Sequence, residues 1–500
     1  MSRPFYVTTP IYYISGDPHI GHAYTTIVAD VLARTARTQG LTRFLTGTDE
    51  HGQKVARAAA AAGKAPQDWC DELVPRWKAL FARYEIAYDD FIRTTEPRHE
   101  RVVQEIFTAL RDGGDLYQGV YEGWYCVEDE TFWLESKLID GKCPTCGRPV
   151  EWVAEEDWFF RLSSYTPRLR EHFAQHPEWV RPRAVYNEMT ALLDQGLEDL
   201  SITRAALQWG IPVPGGGGVI YVWFDALLNY ISALEWPDSI AFRTFWPASV
   251  QLIGKEIARF HTLVWPALLW GIGERAPDLI FAHGWITVEG QKIGKSLGNA
   301  IDPFALADRF GADAIRYFLL REAPFGSDFS YSEQKIAARY NDDLGNDLGN
   351  LLRRTLTMLE KYRDGLVPQP PDSQTMGDRF ADLAGRVHKA IFSLQFRDAL
   401  EAIWELVGVL NRAIDERKPW ILHREARAPE LDRLLYELCE GLRWLAILLA
   451  PFMPERADAM WRQLGMQTPI DASWDESLQW GTIAGGTQTA PGEALFPRIP

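Results

Sequence analysis

The chain has 500 residues, 46% of them hydrophobic, with 20 Trp and 24 Phe and a formal net charge of −16. That length suits roughly three to four domains, the aromatic content excludes a disordered chain, and the acidic balance excludes a broadly basic, non-specific nucleic-acid binder, so any nucleic-acid contact must rest on local basic groups and stacking. Five cysteines, three of them clustered at Cys126, Cys143 and Cys146, are too few for a disulfide framework and point to a reducing cytoplasm.

The N-terminal "MSRPFYVTTP" has no basic-then-apolar signal pattern. No uncharged apolar run reaches the ~18 residues of a membrane span. "FYVTTPIYYI" reads as one buried strand, rich in β-branched and aromatic residues. A helix of about 18 residues follows His19, with Ile27, Val28, Val31 and Leu32 on one stripe and Gly40 suited to a left-handed C-terminal position. Next come a strand in "TRFLTGTDEHG", the Ala-rich helix "QKVARAAAAAG", a strand in "EIAYDDFIRTT" and the helix "PRHERVVQEIFTALRDGG". This alternation argues for a parallel sheet with helices on both faces, whose ligands sit beyond the strand C-termini. His19, Gly21, His22 and the loop Gly47 to Gly52 all fall there. Gly21 allows a ligand close to the backbone, and a helix N-terminus favours an anion. Taken alone, His19-Ile20-Gly21-His22 also fits a plain helix start with two surface histidines.

Residues 116–205 interrupt the alternation and contain "YCVEDETFW" and "GKCPTCGRP". Cys143 and Cys146 form half of a zinc knuckle, and Cys126 with Asp129 stands where the other half is expected. Asp ligates Zn²⁺ at about 2.0–2.2 Å, so a Cys₃Asp site is chemically sound, and such a zinc would be structural. The alternative is a decayed knuckle with three free thiols. Further on, Trp223, Ala226 and Tyr230 recur at helical spacing, as do Ile257, His261 and Trp265, so each set can line one helix face. Such aromatics also fit an ordinary core.

"GWITVEGQKIGKSLGN" follows, with Lys292 and Lys295 flanking Ile293-Gly294 and ending at Ser296. Mobile ammonium groups on a loop can follow charge that develops on a triphosphate. Arg316, Arg321, Lys335 and Arg339 come next as a source of local positive charge. From there the pattern is helical, as in an antiparallel bundle. Asn350 and Arg354 stand one turn apart, and Trp420 follows Pro419. The last 30 residues are Gly/Pro-rich and turn-like.

The histidine signature and the lysine loop together resemble those of the class I aminoacyl-tRNA synthetases. "TTPIYYISGDPHIGHAYTT", "FLTGTDEHG", "YVWFDALLNY" and "IGKEIARFHTLVWPALL" narrow the resemblance to the methionyl-tRNA synthetase family, from about residue 5 to about 460. The lysine loop departs from the family's usual Lys-Met-Ser-Lys-Ser at Ile293 and Gly294, and Leu227 stands where the family usually has proline.

The resemblance implies a Rossmann-like α/β catalytic domain (1–115 and 206–275) split by a connective insertion with the knuckle (116–205). A lysine-loop region (276–335), an all-α anticodon-binding bundle (336–470) and a tail (471–500) follow. It implies L-methionine activation with ATP and Mg²⁺, then transfer to initiator and elongator tRNA(Met), by a cytoplasmic protein. The catalytic groups would be His19, His22, Lys292 and Lys295, with Gly21, His283 and Ser296 also on ATP. Methionine would meet Ile11, Tyr13, Asp49, Arg204, Trp223, Ala226, Tyr230, Ile257, His261 and Trp265, its ammonium on Asp49 and Arg204 near the mouth or the carboxylate. Asn350, Arg354 and Trp420 would read the anticodon. Zn²⁺ would take Cys126, Asp129, Cys143 and Cys146, although some family members lack the metal. No long insertion resembles a separate hydrolytic editing domain, so any editing is expected in the synthetic site. The tail is too short for the tRNA-binding and dimerising domain that some relatives append, which suggests a monomer. The alternatives are a class I synthetase for another amino acid such as cysteine or leucine, a simpler His-x-Gly-His nucleotidyltransferase, or a tRNA-binding relative without catalysis. Both histidines, both lysines and Asp49 are present, which speaks against the last.

Overall fold

The computed structural model describes residues 3–133, 135–288, 290–293, 301–371, 375–470 and 474–499. A seven-stranded sheet organises the N-terminal half. Phe5–Thr8 lies at its middle, paired in parallel with Thr42–Asp49 on one side and Val250–Gly254 on the other. Ile280–His283 and Val180–Arg181 extend it in parallel beyond Val250–Gly254. Asp90–Arg93 pairs in parallel with the outer side of Thr42–Asp49, and Tyr12–Tyr13 pairs in parallel with its other side, beyond Phe5–Thr8.

The stretch read as one strand is therefore two. Pro10 has no N–H to give a ladder, and the chain breaks there. It then resumes along the same side of Thr42–Asp49, which sets Tyr13 in register with Asp49 at the carboxyl end of the sheet.

Side chains alternate across the strands with period two. Val7, Phe44, Leu252 and Phe281 face the helix Ile20–Arg37, in a core continuous with that of the C-terminal helices. Tyr6, Leu45 and Ile92 face the helices Pro97–Asp112 and Trp265–Gly271. Helices thus cover both faces, as the alternation required. The helix Pro66–Arg83, which carries Pro75 in its interior, adds an element that the pattern did not reveal. Gly40 does not take a left-handed conformation. The first helix ends at Arg37, and the Thr38 hydroxyl donates to the Thr35 carbonyl oxygen at 2.8 Å.

The insertion forms an antiparallel sheet in which Leu116–Cys126 lies between Thr131–Trp133 and Glu151–Phe160. Helices dominate after residue 333, including Asn350–Arg363, Phe396–Arg417 and Ala428–Leu449. Segments of the last 30 residues pack on them, with buried Glu440 accepting N–H groups of Gly481, Thr482 and Ile483.

Arg316 is not a surface cation. It is fully buried, and its guanidinium donates to Asp30 at 2.7 Å and to the carbonyl oxygens of Tyr84, Pro451 and Phe452. It ties the first helix to the bundle. Arg321, Lys335 and Arg339 are paired with Glu401, Glu322 and Asp343.

Candidate active site

His19 is the N-cap of the helix Ile20–Arg37. Its Nδ1 accepts from Gly21 N at 3.1 Å, and His22 Nδ1 accepts from His19 N at 3.1 Å. This is a capping box built from two imidazoles. The rings stack with centroids 3.7 Å apart. A neutral ring whose Nδ1 accepts carries its proton on Nε2, so each histidine keeps a donor there. A Cβ on Gly21 would stand 2.9 Å from His19 Cε1, so a side chain here would displace the capping imidazole. Trp77 and Tyr12 pack on His22, with ring centroids 4.6 and 5.0 Å away. Trp77 comes from the helix that the sequence did not disclose. His283 ends the strand Ile280–His283 beside this helix, its Nε2 2.7 Å from the Thr25 hydroxyl and its Nδ1 donating to the Gly284 carbonyl oxygen.

A buried cluster of aromatic side chains lies along the chain segments 222–232 and 255–271. Trp223 and Ala226 sit on the helix Val222–Leu227, and Tyr230 on the separate short helix Asn229–Ser232. Ile257 closes a 3₁₀ turn, His261 lies in the π-helical turn Phe260–Val264, and Trp265 opens an α-helix. Neither set lines one regular helix, as the spacing had implied. Wide π turns interrupt the regular ladder and recur at functional sites. Trp223 stacks flat on Phe260 at 4.0 Å and meets His261 edge-on at 6.3 Å. Tyr230 bonds His261 at 2.7 Å and packs 5.8 Å from Trp265. Ile11 packs against the same core.

Asp49 supplies the pocket's charge. It is 5% exposed, and its Oδ1 has no hydrogen-bond partner among the described residues. Burial, followed by the nearby Asp225 and Glu130 charges, holds its pKa well above the usual carboxylate range. An ammonium group would relieve all three causes. Arg204 is buried 3.4 Å from Asp157, 2.8 Å from the Ser201 hydroxyl and over the Tyr221 ring.

Sequence reading missed the polar floor of this pocket. Asp225, fully buried, is shared between His51 Nδ1 at 2.7 Å and His99 Nε2 at 2.6 Å, and His99 Nδ1 reaches the Ser232 hydroxyl at 2.7 Å. Burial alone would raise the Asp225 pKa, yet the two histidines hold it below its ordinary value. The signal was an acid between Trp223 and Ala226 in an otherwise apolar run, since buried acids are rare without partners.

A cleft of about 810 Å³ joins the paired histidines to the insertion, with Tyr13, Lys54, Arg57, Glu128, Arg148 and Glu151 among its lining. The ligand atoms of Cys126, Asp129, Cys143 and Cys146 lie beside it in sequence and all fall within 4.8 Å of one another. Cys126 Sγ stands 3.5 Å from Cys146 Sγ, and Asp129 Oδ2 lies 3.1 Å from Cys143 Sγ and 3.8 Å from Cys126 Sγ. Tetrahedral zinc with Zn–S near 2.3 Å separates its sulfurs by about 3.8 Å, so this donor set fits the ion. The backbone of Lys292 lies in the strand Gln291–Lys292, while its side chain and the whole of Lys295 and Ser296 fall outside the described residues.

Asn350 and Arg354 lie on the helix Asn350–Arg363, far along the chain in the bundle. Asn350 Oδ1 accepts from Arg353 at 3.1 Å, and Arg354 pairs with Asp415 at 2.7 Å. Trp420 is 48% exposed on the short helix Pro419–Arg424, five residues beyond Asp415. It is not a core residue.

Comparison with known proteins places the whole chain. The family model described as tRNA synthetases class I (M) matches residues 5–152 and 146–356, and that of the anticodon-binding domain of tRNA ligase matches 374–490. The methionine–tRNA ligase of Caldanaerobacter subterraneus subsp. tengcongensis is 49% identical over 100% of this chain and 79% of its own length. That of Thermotoga maritima is 45% identical over 99% of this chain and 80% of its own. Mycobacterium tuberculosis methionyl-tRNA synthetase in complex with methionyl-adenylate superposes with a TM-score of 0.94 at 41% identity, over 99% of this chain and 100% of that one. The apo form of that enzyme superposes with a TM-score of 0.87 at 38% identity, over 100% of this chain and 99% of that one. The chain belongs to the class I tRNA synthetase family, among the methionine–tRNA ligases.

Proposed function

We infer that the chain activates L-methionine with ATP to methionyl-adenylate and transfers the methionyl group to the 3′ end of tRNA(Met), the reaction of a methionine–tRNA ligase. The observation that carries this reading is Asp49: a buried carboxylate oxygen without a partner among the described residues, at the carboxyl end of the sheet near the aromatic cluster. The M. tuberculosis relative was solved with methionyl-adenylate, the intermediate that this reaction requires.

The substrate carboxylate is already a nucleophile at neutral pH, so attack on the α-phosphate needs positioning and charge stabilisation rather than a base. His19 and His22 supply Nε2 donors at a helix N-terminus, and Lys292 and Lys295 supply the cations. The side chain would lie against Ile11, Tyr13, Trp223, Ala226, Tyr230, Ile257, His261 and Trp265, where sulfur–ring contacts contribute about 0.3–1.5 kcal/mol. Asp49 takes the ammonium, and Arg204 would serve the pocket mouth or the substrate carboxylate. Mg²⁺ accompanies ATP as part of the substrate. Gly21, His283 and Ser296 complete the nucleotide site. Cys126, Asp129, Cys143 and Cys146 hold a structural Zn²⁺ that cross-links the insertion.

The domain limits follow the same reading: a catalytic domain at 1–115 and 206–275, the insertion at 116–205, the lysine-loop region at 276–335, the anticodon-binding bundle at 336–470 and the tail at 471–500. Asn350, Arg354 and Trp420 read the anticodon of both initiator and elongator tRNA. We take the protein as a cytoplasmic monomer. Among the described residues no helix is long and apolar enough to cross a membrane. The test is ATP–pyrophosphate exchange without tRNA, one amino acid at a time. Exchange with methionine alone is expected. Exchange with a different amino acid would retain the fold and overturn the pocket assignment, and no exchange with any would favour a tRNA-binding relative without catalysis.

A further inference from the structure

The residue after Asp129 turns back into the catalytic core. Glu130 is 2% exposed and adopts a φ of 47°, a conformation that a non-glycine residue keeps only where its surroundings hold it. Its Oε1 accepts the Lys54 N–H at 2.9 Å and the Tyr13 hydroxyl at 3.2 Å. The Tyr125 hydroxyl bonds its Oε2, and the Tyr221 hydroxyl bonds its backbone carbonyl oxygen. The Tyr13 hydroxyl also reaches the His51 carbonyl oxygen at 3.0 Å, so it is shared between two acceptors.

A second observation points the same way. The helix Gln53–Ala61 has Gly52 as its N-cap, which offers no side-chain acceptor for the first-turn donors. Glu130 takes that role from a distant segment by accepting from Lys54 N. Packing is close: a Cβ on Gly52 would stand 2.4 Å from Tyr13 Oη and 2.9 Å from Glu130 Oε1. Tyr13 is in register with Asp49 on the adjacent strand. One carboxylate therefore fixes the far end of the ring beside Asp49, and it does so from the segment that carries Cys126 and Asp129.

We propose that Glu130 is a positioning residue of the amino-acid pocket, holding Tyr13 in place from the knuckle segment. The proposal rests on the reading of this pocket as the methionine site. Glu130 touches neither the substrate nor the phosphates. It acts through the Tyr13 hydroxyl and through the loop that ends in Gly52, and its charge adds to that of Asp49.

The test is a double-mutant cycle on the full chain, read by methionine-dependent ATP–pyrophosphate exchange. Variants are Glu130→Ala, Glu130→Gln, Tyr13→Phe and Glu130→Ala with Tyr13→Phe. Glu130→Ala is expected to raise KM for methionine about tenfold, with KM for ATP within about twofold of wild type. Glu130→Gln keeps an acceptor oxygen and recovers part of that loss. The double variant is expected to lose less than the product of the two single losses, because both changes remove the same bond. Methionine binding without ATP, followed by tryptophan fluorescence, is expected to weaken in the same order.

Effects that multiply in the double variant overturn the proposal, as do equal changes in both KM values. Tyr13→Phe alone keeps the falsifying power if the alanine variant does not fold: an unchanged KM for methionine overturns the proposal. A wild-type chain without methionine-dependent exchange overturns the pocket reading and the proposal with it. A wild-type chain that exchanges while Glu130→Ala keeps its KM overturns the proposal alone.

Discussion

The Tyr230 hydroxyl lies 2.7 Å from Nε2 of His261, and Nδ1 of the same ring lies 3.1 Å from the Ile257 carbonyl oxygen. A carbonyl oxygen only accepts, so Nδ1 carries the hydrogen. Burial pushes the ring's pKa down to about 4, which keeps it neutral and leaves Nε2 as the acceptor from tyrosine. A neutral wall suits an apolar thioether. Tyr230→Phe leaves Nε2 buried without its donor, which is expected to destabilise the fold by about 1–3 kcal/mol and raise KM for methionine. The lowered pKa makes stability fall as pH drops from the ordinary 6.5 towards about 4, because the unfolded chain gains that proton first. His261→Gln is expected to reduce the acid loss in that window. Chemical denaturation at several pH values measures both, and an unaltered slope in His261→Gln would count against the assignment.

Asp225 holds two buried histidines at once, and breaking such a buried pair costs about 3–5 kcal/mol. Asp225→Asn is expected to lose stability of that order and to disturb Trp223 and Ala226 on either side of it. The sign with pH is defined. Asp225 lies below its ordinary value: burial opposes this and His51 outweighs it, so its contribution is present above the ordinary carboxylate range and is lost as pH falls through its folded value. His51 lies above its ordinary value: burial opposes this and Asp225 outweighs it, so its contribution is present below 6.5 and is lost as pH rises through its raised value. The gap between wild type and variant should therefore be widest at mildly acidic pH. A gap independent of pH would contradict the coupling.

The capping role of His19 can be separated from its proposed role on the phosphates. Its Nδ1 caps the first helix, and an asparagine oxygen can accept the same bond from Gly21 N. His19→Asn is expected to change stability by less than about 1 kcal/mol. It removes the Nε2 donor, so pyrophosphate exchange is expected to fall about 10²- to 10³-fold. Thermal unfolding and exchange on the same preparation test this, and full exchange in the asparagine variant would refute the phosphate-binding role.

Three thiols and a carboxylate within 4.8 Å of one another fit one tetrahedral ion. The purified chain is expected to carry about one zinc, measured by elemental analysis. Asp129→Ala is expected to lower that content, and chelation is expected to lower the melting temperature of the wild type more than that of the variant. A metal-free wild-type chain that melts identically with and without chelator would show the decayed knuckle instead.

The parts of the site that the sequence discloses are local ones. His19, Gly21 and His22 fall where a strand hands over to a helix, and the helix Ile20–Arg37 follows from its own stripe. The parts it conceals depend on distant partners. Asp225 meets His51 and His99 from 174 and 126 residues away. Arg316 reads as a free cation until Asp30 and the carbonyl oxygens of Pro451 and Phe452 are brought to it. The 3₁₀ and π turns that carry Ile257 and His261 look like one helix, because spacing records period and not ladder type. The helix Pro66–Arg83 is obscured by Pro75, whose missing N–H is tolerated once tertiary packing buries Leu73, Trp77 and Leu80.

Trp420 gives the sharpest separation of the two half-reactions. It is 48% exposed, on a helix that begins after Lys418 in a left-handed conformation with φ 48°, and Pro419 stiffens the approach. Arg354, on the neighbouring helix, holds Asp415 at 2.7 Å with both side chains partly in solvent. Such a surface pair is worth about 0–1 kcal/mol, so Arg354 can exchange its carboxylate for an RNA base edge at little cost. Stacking of an unpaired base on an aromatic ring contributes about 1–3 kcal/mol. Trp420→Ala is therefore expected to lower kcat/KM for tRNA charging by about 5- to 150-fold while pyrophosphate exchange changes far less. Asp415→Ala releases Arg354 and is expected to leave charging unimpaired, with a steeper dependence on salt. Should Trp420→Ala reduce exchange and charging by the same factor, the residue supports the fold of the whole chain and does not read RNA.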